Sequence, residues 1–134
     1  MHPRWVDRIR ARIDTGRMWL ATDEAGVLGA MVLNPRHARH VEPVDEPEFY
    51  VQGFVTALRP EARGVAAALW RNAEAVARAE GVRLLRLDCY VSPDRRLVRY
   101  YEAVGFQVVR ELTELSPGDN EPYHGCLLTR RLTD

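Results

Sequence analysis

Hydrophobic and polar positions follow two different periods along this chain, and the change from one to the other predicts a mixture of helices and strands. Apolar residues recur with a helical spacing in residues 3–15, 64–80 and 94–104. Short apolar runs of the kind that form strands occupy residues 17–22, 27–33, 49–58, 83–90, 106–112 and 125–132. The expected order is a helix, three strands, a helix, a strand, a helix and two strands.

The connections between these elements predict how the strands pair. The strand, helix and strand between residues 49 and 90 should form a parallel pair with a right-handed crossover. The hairpins at both ends should pair antiparallel, and Gly53 is a candidate β-bulge within its strand. We therefore expect one α+β domain over residues 1–134, with a mixed, largely antiparallel sheet, a central parallel strand pair and helices on both faces.

Residues 34–48 have three prolines and no periodicity, which predicts a loop of 15 residues. A loop of this length in a compact domain is often functional. It carries His37 and His40, a spacing that raises the question of a metal site. Since no further ligands with suitable spacing accompany them, we expect no metal.

Composition narrows the possible partners. The chain has 19 basic and 19 acidic residues, so its charge predicts neither a nucleic acid nor a membrane surface as partner. No apolar stretch has the length of a membrane span or the features of a signal peptide. Cys89 and Cys126 lie in apolar runs and form no CxxC pair, so they are expected to be buried free thiols. These features predict a cytoplasmic protein.

The predicted helix at residues 64–80 begins with unusually small side chains, RGVAAA at 63–68. The first N–H groups of a helix lack partners within the helix, and the helix dipole is positive at that end. Small residues would let an anionic group such as a phosphate reach these donors. The same residues would equally suit a helix that packs tightly on a sheet, so this segment by itself leaves both interpretations open.

A second segment, YYEAVGF at residues 100–106, ends the next helix and begins a strand. Its tyrosines are either aromatic residues of the core or groups exposed to a site. Together the two segments resemble the GNAT superfamily of acyl-CoA-dependent N-acyltransferases, and the resemblance covers roughly residues 5–132. RGVAAA looks like the family's R/Q-x-x-G-x-G/A motif, with Ala66 in place of the central glycine, and YEAVGF looks like its Y-E-x-x-G-F motif.

The resemblance implies a GNAT-like fold and an acetyl-CoA site. The pyrophosphate would be bound by Arg63, Gly64, Val65, Ala66, Ala67 and Ala68. Pantetheine would lie between the splayed parallel strands, against the backbone of Thr56, Ala57 and Leu58. Tyr101 takes the family's usual catalytic position and would be the general acid. Asp94, where the family often has Asn, would either accept a hydrogen bond from pantetheine or cap its helix.

The general base is not identified by the motifs. Glu48, at the start of the central strand, is the first candidate, and Asp88 and His124 are alternatives. The implied function is direct transfer of an acetyl group from acetyl-CoA to a primary amine of a small molecule or peptide. The alternatives are a non-catalytic acyl-CoA-binding or regulatory protein with the same fold, and an unrelated α+β interaction module.

The chain departs from the family at its N-terminus. Family members usually begin with an extra strand and helix before the element expected at residues 3–15. Without that strand, the sheet edge at residues 17–22 would be bare, and a second copy of the chain could cover it. We therefore expect either a homodimer through residues 17–22 or a start site upstream of Met1.

Overall fold

The structure is a computed structural model, and it describes residues 10–13, 17–113 and 124–133. Its strands are β1 (Arg10–Ile13), β2 (Arg17–Asp23), β3 (Gly26–Asn34), β4 (Glu48–Thr56), β5 (Leu84–Tyr90), β6 (Gln107–Leu112) and β7 (Gly125–Arg131). Its helices are α1 (Val65–Ala79) and α2 (Arg96–Val104), and a short 3-10 turn at Pro60–Ala62 precedes α1. From β2 onwards, the predicted elements all form within two residues of their expected ends.

The strands form one sheet in the order β1-β2-β3-β4-β5-β7-β6. Only β4 and β5 pair in parallel, and the other neighbours pair antiparallel. The expected α+β class is thus confirmed, including the central parallel pair and the hairpins.

The parallel pair opens along its length. β4 and β5 are paired at three positions, Glu48 with Leu84, Phe49 with Leu85 and Tyr50 with Arg86. Beyond Tyr50 the two strands diverge, although each continues for several residues. The expected bulge is confirmed, because Gly53 has a φ of +59° and the β3–β4 register shifts opposite it. Since a bulge bends and twists its strand, it helps β4 to leave β5.

The N-terminal prediction is wrong where the structure describes it. Residues 10–13 form strand β1 instead of a helix and pair with β2 from Arg10–Leu20 to Ile13–Arg17. Pairing supplies partners for the backbone groups of the β2 edge, and this outweighs the helical spacing of the apolar residues. The rest of the expected helix, residues 3–9 and 14–15, lies outside the described residues. Since β1 covers residues 17–20, the argument for a homodimer through a bare edge there no longer holds.

Both described helices lie on one face of the sheet. The main core joins Leu69 of α1 and Val98 of α2 to alternate strand residues such as Phe49. On the opposite face, Tyr50 belongs to a smaller cluster that Val41 of the 35–47 loop covers. The sequence predicted helices on both faces; in the described part of the chain, a loop covers the second face instead.

Candidate active site

The first turn of α1 consists of small residues and carries no side-chain cap. Gly64 is the N-cap residue, with a φ of +85° that an L side chain rarely adopts, and no side chain caps the helix there. Val65 and Ala68 are buried, Ala66 is half-buried, and Ala67 is exposed. The N–H groups at this helix start are therefore accessible to an anion.

Gly29 of β3 lets this turn approach the sheet closely. A Cβ atom on Gly29 would lie 2.6 Å from Cγ1 of Val65 and 3.1 Å from Cδ1 of Leu69. Any larger residue would therefore push the start of α1 away from the sheet. The sequence analysis missed this glycine, although an isolated glycine within a strand pattern is a recognised sign of close approach.

The end of β4 meets the start of α1 around one open hollow. Ala57, Leu58, Pro60 and Arg63 are among the residues that line it. The N–H of Ala57 donates to the carbonyl oxygen of Leu28 at 2.8 Å. By the alternation of an antiparallel ladder, the N–H and C=O of Thr56 therefore face the other edge, from which β5 has diverged. Of the predicted cofactor residues, Ala57, Leu58 and Arg63 line this hollow.

Tyr101 lies half-buried in a group of aromatic rings. Its ring centroid is 6.1 Å from that of Trp70, 6.4 Å from that of Phe54 and 6.0 Å from that of Phe106. Burial is the main cause that raises the pKa of Tyr101 to about 12, followed by nearby acidic groups including Asp88. The phenol is therefore protonated at neutral pH and can donate a proton or a hydrogen bond.

A cleft of about 450 Å³ lies where β4 and β5 separate. Its lining comes from β4, β5, α2 and the 35–47 loop, and includes His40, Tyr50, Phe54, Asp88 and Tyr101. The splayed strands thus expose backbone and side chains to one cavity. This position, at the carboxyl ends of two parallel strands, is a common location for ligand sites in sheets with parallel strands.

Asp94 forms hydrogen bonds within the segment that leads into α2. Its Oδ1 accepts hydrogen bonds from the Ser92 hydroxyl at 2.5 Å and from the backbone N–H of Arg96 at 3.1 Å. Both bonds lower the pKa of the Asp94 carboxyl, and the bond from Ser92 has the larger effect. The bond from Arg96 closes an Asx turn before α2, whose N-cap residue is Arg95, so Asp94 shapes the entry to the helix without being its cap.

Glu48 does not have the surroundings of a general base. It is 7% exposed and forms a bidentate pair with Arg86, at 2.7 Å from Nε to Oε1 and 2.9 Å from Nη2 to Oε2. It also lies at the paired end of β4, before the strands diverge. Because Arg86 engages both carboxylate oxygens, the geometry favours a structural role for Glu48 over the role of general base.

The other two base candidates differ in position. His124 is exposed beside β7, and its carbonyl oxygen accepts the N–H of Val91 at 3.0 Å. Asp88 lines the cleft, where its Oδ2 accepts a hydrogen bond from the Tyr50 hydroxyl and lies 3.3 Å from Nε2 of His40. The sequence analysis named Asp88 only as an alternative and did not connect it with His40 or Tyr50.

The thiols are as expected. Cys89 and Cys126 are free, buried and opposite each other on β5 and β7. Burial, more than the neighbouring thiol, raises the pKa of Cys89 to about 12, so this group is a poor nucleophile at neutral pH.

In the part of the chain that the structure describes, no three His, Cys, Asp or Glu residues lie close enough together to hold a metal ion. Within the same residues, none of the helices combines the length and the apolar character needed to cross a membrane.

Comparison with known proteins identifies the class to which this site belongs. The model of the acetyltransferase (GNAT) family matches residues 1–106. The chain therefore belongs to the GNAT acetyltransferase family, as its motifs suggested. No curated protein matches it significantly.

Solved structures of this family share the fold at low sequence identity. A GNAT family acetyltransferase from Elizabethkingia anophelis, solved with acetyl-CoA bound, has a TM-score of 0.66 and 17% identity, with 88% of this chain and 77% of that chain covered. An IAA acetyltransferase from Bacillus cereus has a TM-score of 0.65 and 17% identity, with 88% of this chain and 79% of that chain covered. The ribosomal-protein-S18-alanine N-acetyltransferase from Escherichia coli has a TM-score of 0.66 and 13% identity, with 92% of this chain and 73% of that chain covered. Because these names differ in what is acetylated, the shared fold does not identify an acceptor.

Proposed function

We propose that this protein transfers an acetyl group from acetyl-CoA directly to a primary amine of a small molecule or peptide. One observation carries the proposal: β4 diverges from β5 beyond Tyr50, Tyr101 lines the cleft at that divergence, and the end of β4 leads to the hollow at the start of α1. The acetyl-CoA bound to the Elizabethkingia anophelis relative supports the choice of donor.

The donor would lie along the end of β4. Its pyrophosphate would accept hydrogen bonds from the N–H groups of the α1 first turn, with the guanidinium of the exposed Arg63 nearby. Pantetheine would continue between β4 and β5, where the backbone of Thr56 faces the gap. The thioester would then reach the cleft that Tyr101 lines.

The chemical step has three requirements. The amine must lose a proton, because alkylammonium groups titrate near about 10.4. The carbonyl oxygen must be stabilised as it gains charge, which a backbone N–H of β4 could do. The sulfur must gain a proton as the C–S bond breaks, and the Tyr101 hydroxyl is the proposed donor.

Calorimetric titration tests the donor site. Acetyl-CoA should bind with a dissociation constant in the micromolar range, corresponding to about −8 kcal/mol. S-acetylpantetheine, which lacks the pyrophosphate, should bind at least about tenfold more weakly, because it leaves the α1 donors unused. Equal affinities would remove the helix start from the site, and absence of binding by a folded sample would remove the proposed function.

Tyr101→Phe tests the catalytic role and separates an enzyme from a non-catalytic acyl-CoA-binding protein. With acetyl-CoA and a panel of primary amines, release of free coenzyme A should fall about 100-fold or more, because the proton donor is lost. Affinity for acetyl-CoA should hardly change. Tyr100→Phe is the matched control, since its hydroxyl accepts the Trp70 Nε1–H at 3.1 Å instead of lining the cleft.

Two results would count against this assignment. Equal turnover by Tyr101→Phe and the wild type would exclude Tyr101 as the acid. Tight acetyl-CoA binding by a wild-type protein that transfers to none of the amines would favour the non-catalytic alternative, which Ala66 in place of the motif's glycine supports.

A further inference from the structure

A second set of polar side chains lines the same cleft as Tyr101. His40 comes from the 35–47 loop, Tyr50 from the paired part of β4, and Asp88 from β5. The Tyr50 hydroxyl donates to Oδ2 of Asp88, and Nε2 of His40 lies 3.3 Å from the same oxygen. Tyr50 and Asp88 are 38 positions apart in sequence, and His40 lies on a separate element. Only the fold therefore brings the three side chains together.

The partners of Asp88 determine how His40 is protonated. A carboxylate accepts hydrogen bonds, so the neutral imidazole carries its proton on Nε2, facing Asp88. The lone pair is then on Nδ1. Asp88 is 19% exposed at its side chain and His40 33%, so the pair is partly shielded while the imidazole retains contact with solvent.

The loop that carries His40 is fixed to the sheet by contacts with β6 and β7. Val41, directly after His40, is buried, and its N–H donates to the carbonyl oxygen of Ala38 at 3.1 Å. Further along, Glu42 pairs with Arg110 at 2.9 Å and Glu46 with Arg131 at 2.6 Å. The imidazole is therefore held at the cleft by the packing of its neighbour and by its bond to Asp88.

We propose that His40 is the general base that takes the proton from the acceptor amine, and that Asp88, anchored by Tyr50, is the residue that positions it. This inference rests on the proposed amine acetylation. It assigns the two proton transfers to opposite sides of one cleft, with His40 for the amine and Tyr101 for the sulfur.

The protons balance as follows. Nδ1 of His40 takes one proton from the ammonium group and later releases it to solvent. The amine nitrogen then forms a bond to the carbonyl carbon, the C–S bond breaks, and the sulfur takes the proton of the Tyr101 hydroxyl. The positively charged nitrogen of the adduct loses its remaining excess proton, which returns to the Tyr101 oxygen. The products are the acetylated amine, free coenzyme A and one proton.

His40 suits this task better than the carboxylates considered above. Glu48 has both oxygens engaged by Arg86 in the buried part of the sheet. Oδ2 of Asp88 is engaged by Tyr50 and His40. A histidine changes charge near neutral pH and can pass a proton to water, which a base must do once in every turnover.

A pair of probe amines tests the role of the base. Benzylamine is largely protonated at pH 7, whereas aniline is already neutral and needs no base before it attacks. For His40→Gln, kcat/KM with benzylamine should fall about 100-fold, while with aniline it should fall less than about fivefold. Calorimetry should show an unchanged affinity for acetyl-CoA. His37→Gln is the matched control, because Nδ1 of His37 lies 2.7 Å from the Ala38 carbonyl oxygen, within its own loop.

A measurement without turnover tests the geometry. In the wild-type protein, ¹⁵N NMR of the imidazole should show the neutral His40 ring protonated at Nε2. Asp88→Asn should reduce this preference, because an amide NH2 group can donate to Nε2, and should lower kcat/KM for benzylamine more than for aniline. Among the described residues, the other titratable groups that line the cleft are Tyr50, Asp88, Cys89, Tyr90 and Tyr101.

The following results of these experiments would overturn the proposal. Equal losses with benzylamine and aniline would make His40 a structural residue, and an unchanged His40→Gln enzyme would exclude it. A wild-type ring protonated at Nδ1 would contradict the arrangement with Asp88 even if no amine were acetylated. If acetyl-CoA bound but neither amine were acetylated, the proposed function would fail and the role of His40 with it.

Discussion

Strand β4 is buried and paired on both edges at its start, which we call the closed end, and exposed at its end, which we call the open end. At its start, Glu48 and Tyr50 are 7% and 1% exposed, both in register with β5. At its end, Val55 is 60% exposed and Leu58, just beyond the strand, is fully exposed. Between them the strand passes the Gly53 bulge and loses contact with β5.

The contrast shows that residue type alone misidentifies the functional end of a strand. The closed end carries the carboxylate, and the open end carries small and apolar residues with no chemistry of their own. At the closed end Arg86 engages the carboxylate completely, whereas at the open end backbone groups face a gap. The predictions below test whether stability depends on the first end and function on the second.

The largest expected effect is on stability at the closed end. Glu48→Ala would leave the buried Arg86 guanidinium without its partner. Loss of one member of a buried ion pair costs about 3–5 kcal/mol, so the free energy of unfolding measured with urea should fall by that amount. The acetyl-CoA affinity of the molecules that remain folded should be close to that of the wild type.

A double variant distinguishes structure from catalysis at Glu48. Glu48→Leu combined with Arg86→Met removes both charges and keeps the volume similar, which should restore stability to within about 2 kcal/mol of the wild type. Turnover should recover with it. Restored stability without turnover would return Glu48 to the position of base and would contradict the role proposed for His40.

The next effect is on binding at the open end. Ala66→Glu places a carboxylate on the half-buried first turn of α1, where it would repel the pyrophosphate and obstruct the N–H groups. Acetyl-CoA should bind about 10- to 100-fold more weakly by calorimetry, equivalent to about 1.4–2.8 kcal/mol. Ala75→Glu, on an exposed position of the same helix, is the matched control and should bind like the wild type.

Most of the fold is predictable because its signals are local. The Gly64–Glu80 segment has both a helical period and terminal glycines, and the structure forms α1 there within one residue at each end. The N-terminal segment shows the limit of this reasoning. Residues 10–13 lie within a helical apolar spacing, but they pair as a strand with the neighbouring β2, and the spacing carries no signal of that pairing.

The residues of the candidate site also divide into those that a local motif predicts and those that only the fold brings together. The open helix start and Tyr101 occur in continuous motifs, so the sequence places both. The contact of Asp88 with His40 and Tyr50 depends on the β4–β5 pairing and on the course of the 35–47 loop, neither of which has a motif. The position of Glu48 at the start of a predicted strand suggests a base, and only the β4–β5 register shows that its carboxylate pairs with Arg86 before the strands separate.

The smallest effect is expected at the junction between the two ends. Gly53 has a φ of +59°, and a Cβ there would meet only Val32 Cγ2 at an ordinary 3.6 Å, so Gly53→Ala introduces conformational strain without a clash. The expected cost is about 1 kcal/mol of unfolding free energy. Gly81→Ala is the matched control, because Gly81 has a φ of +73°, nothing within 4 Å of its Cβ position, and lies beyond the end of α1. Both variants should lose similar stability, but only Gly53→Ala should lower kcat, since relaxation of the bulge would move the β4 backbone at the cleft. Equal kcat values for the two variants would show that the bulge shapes the strand without taking part in function.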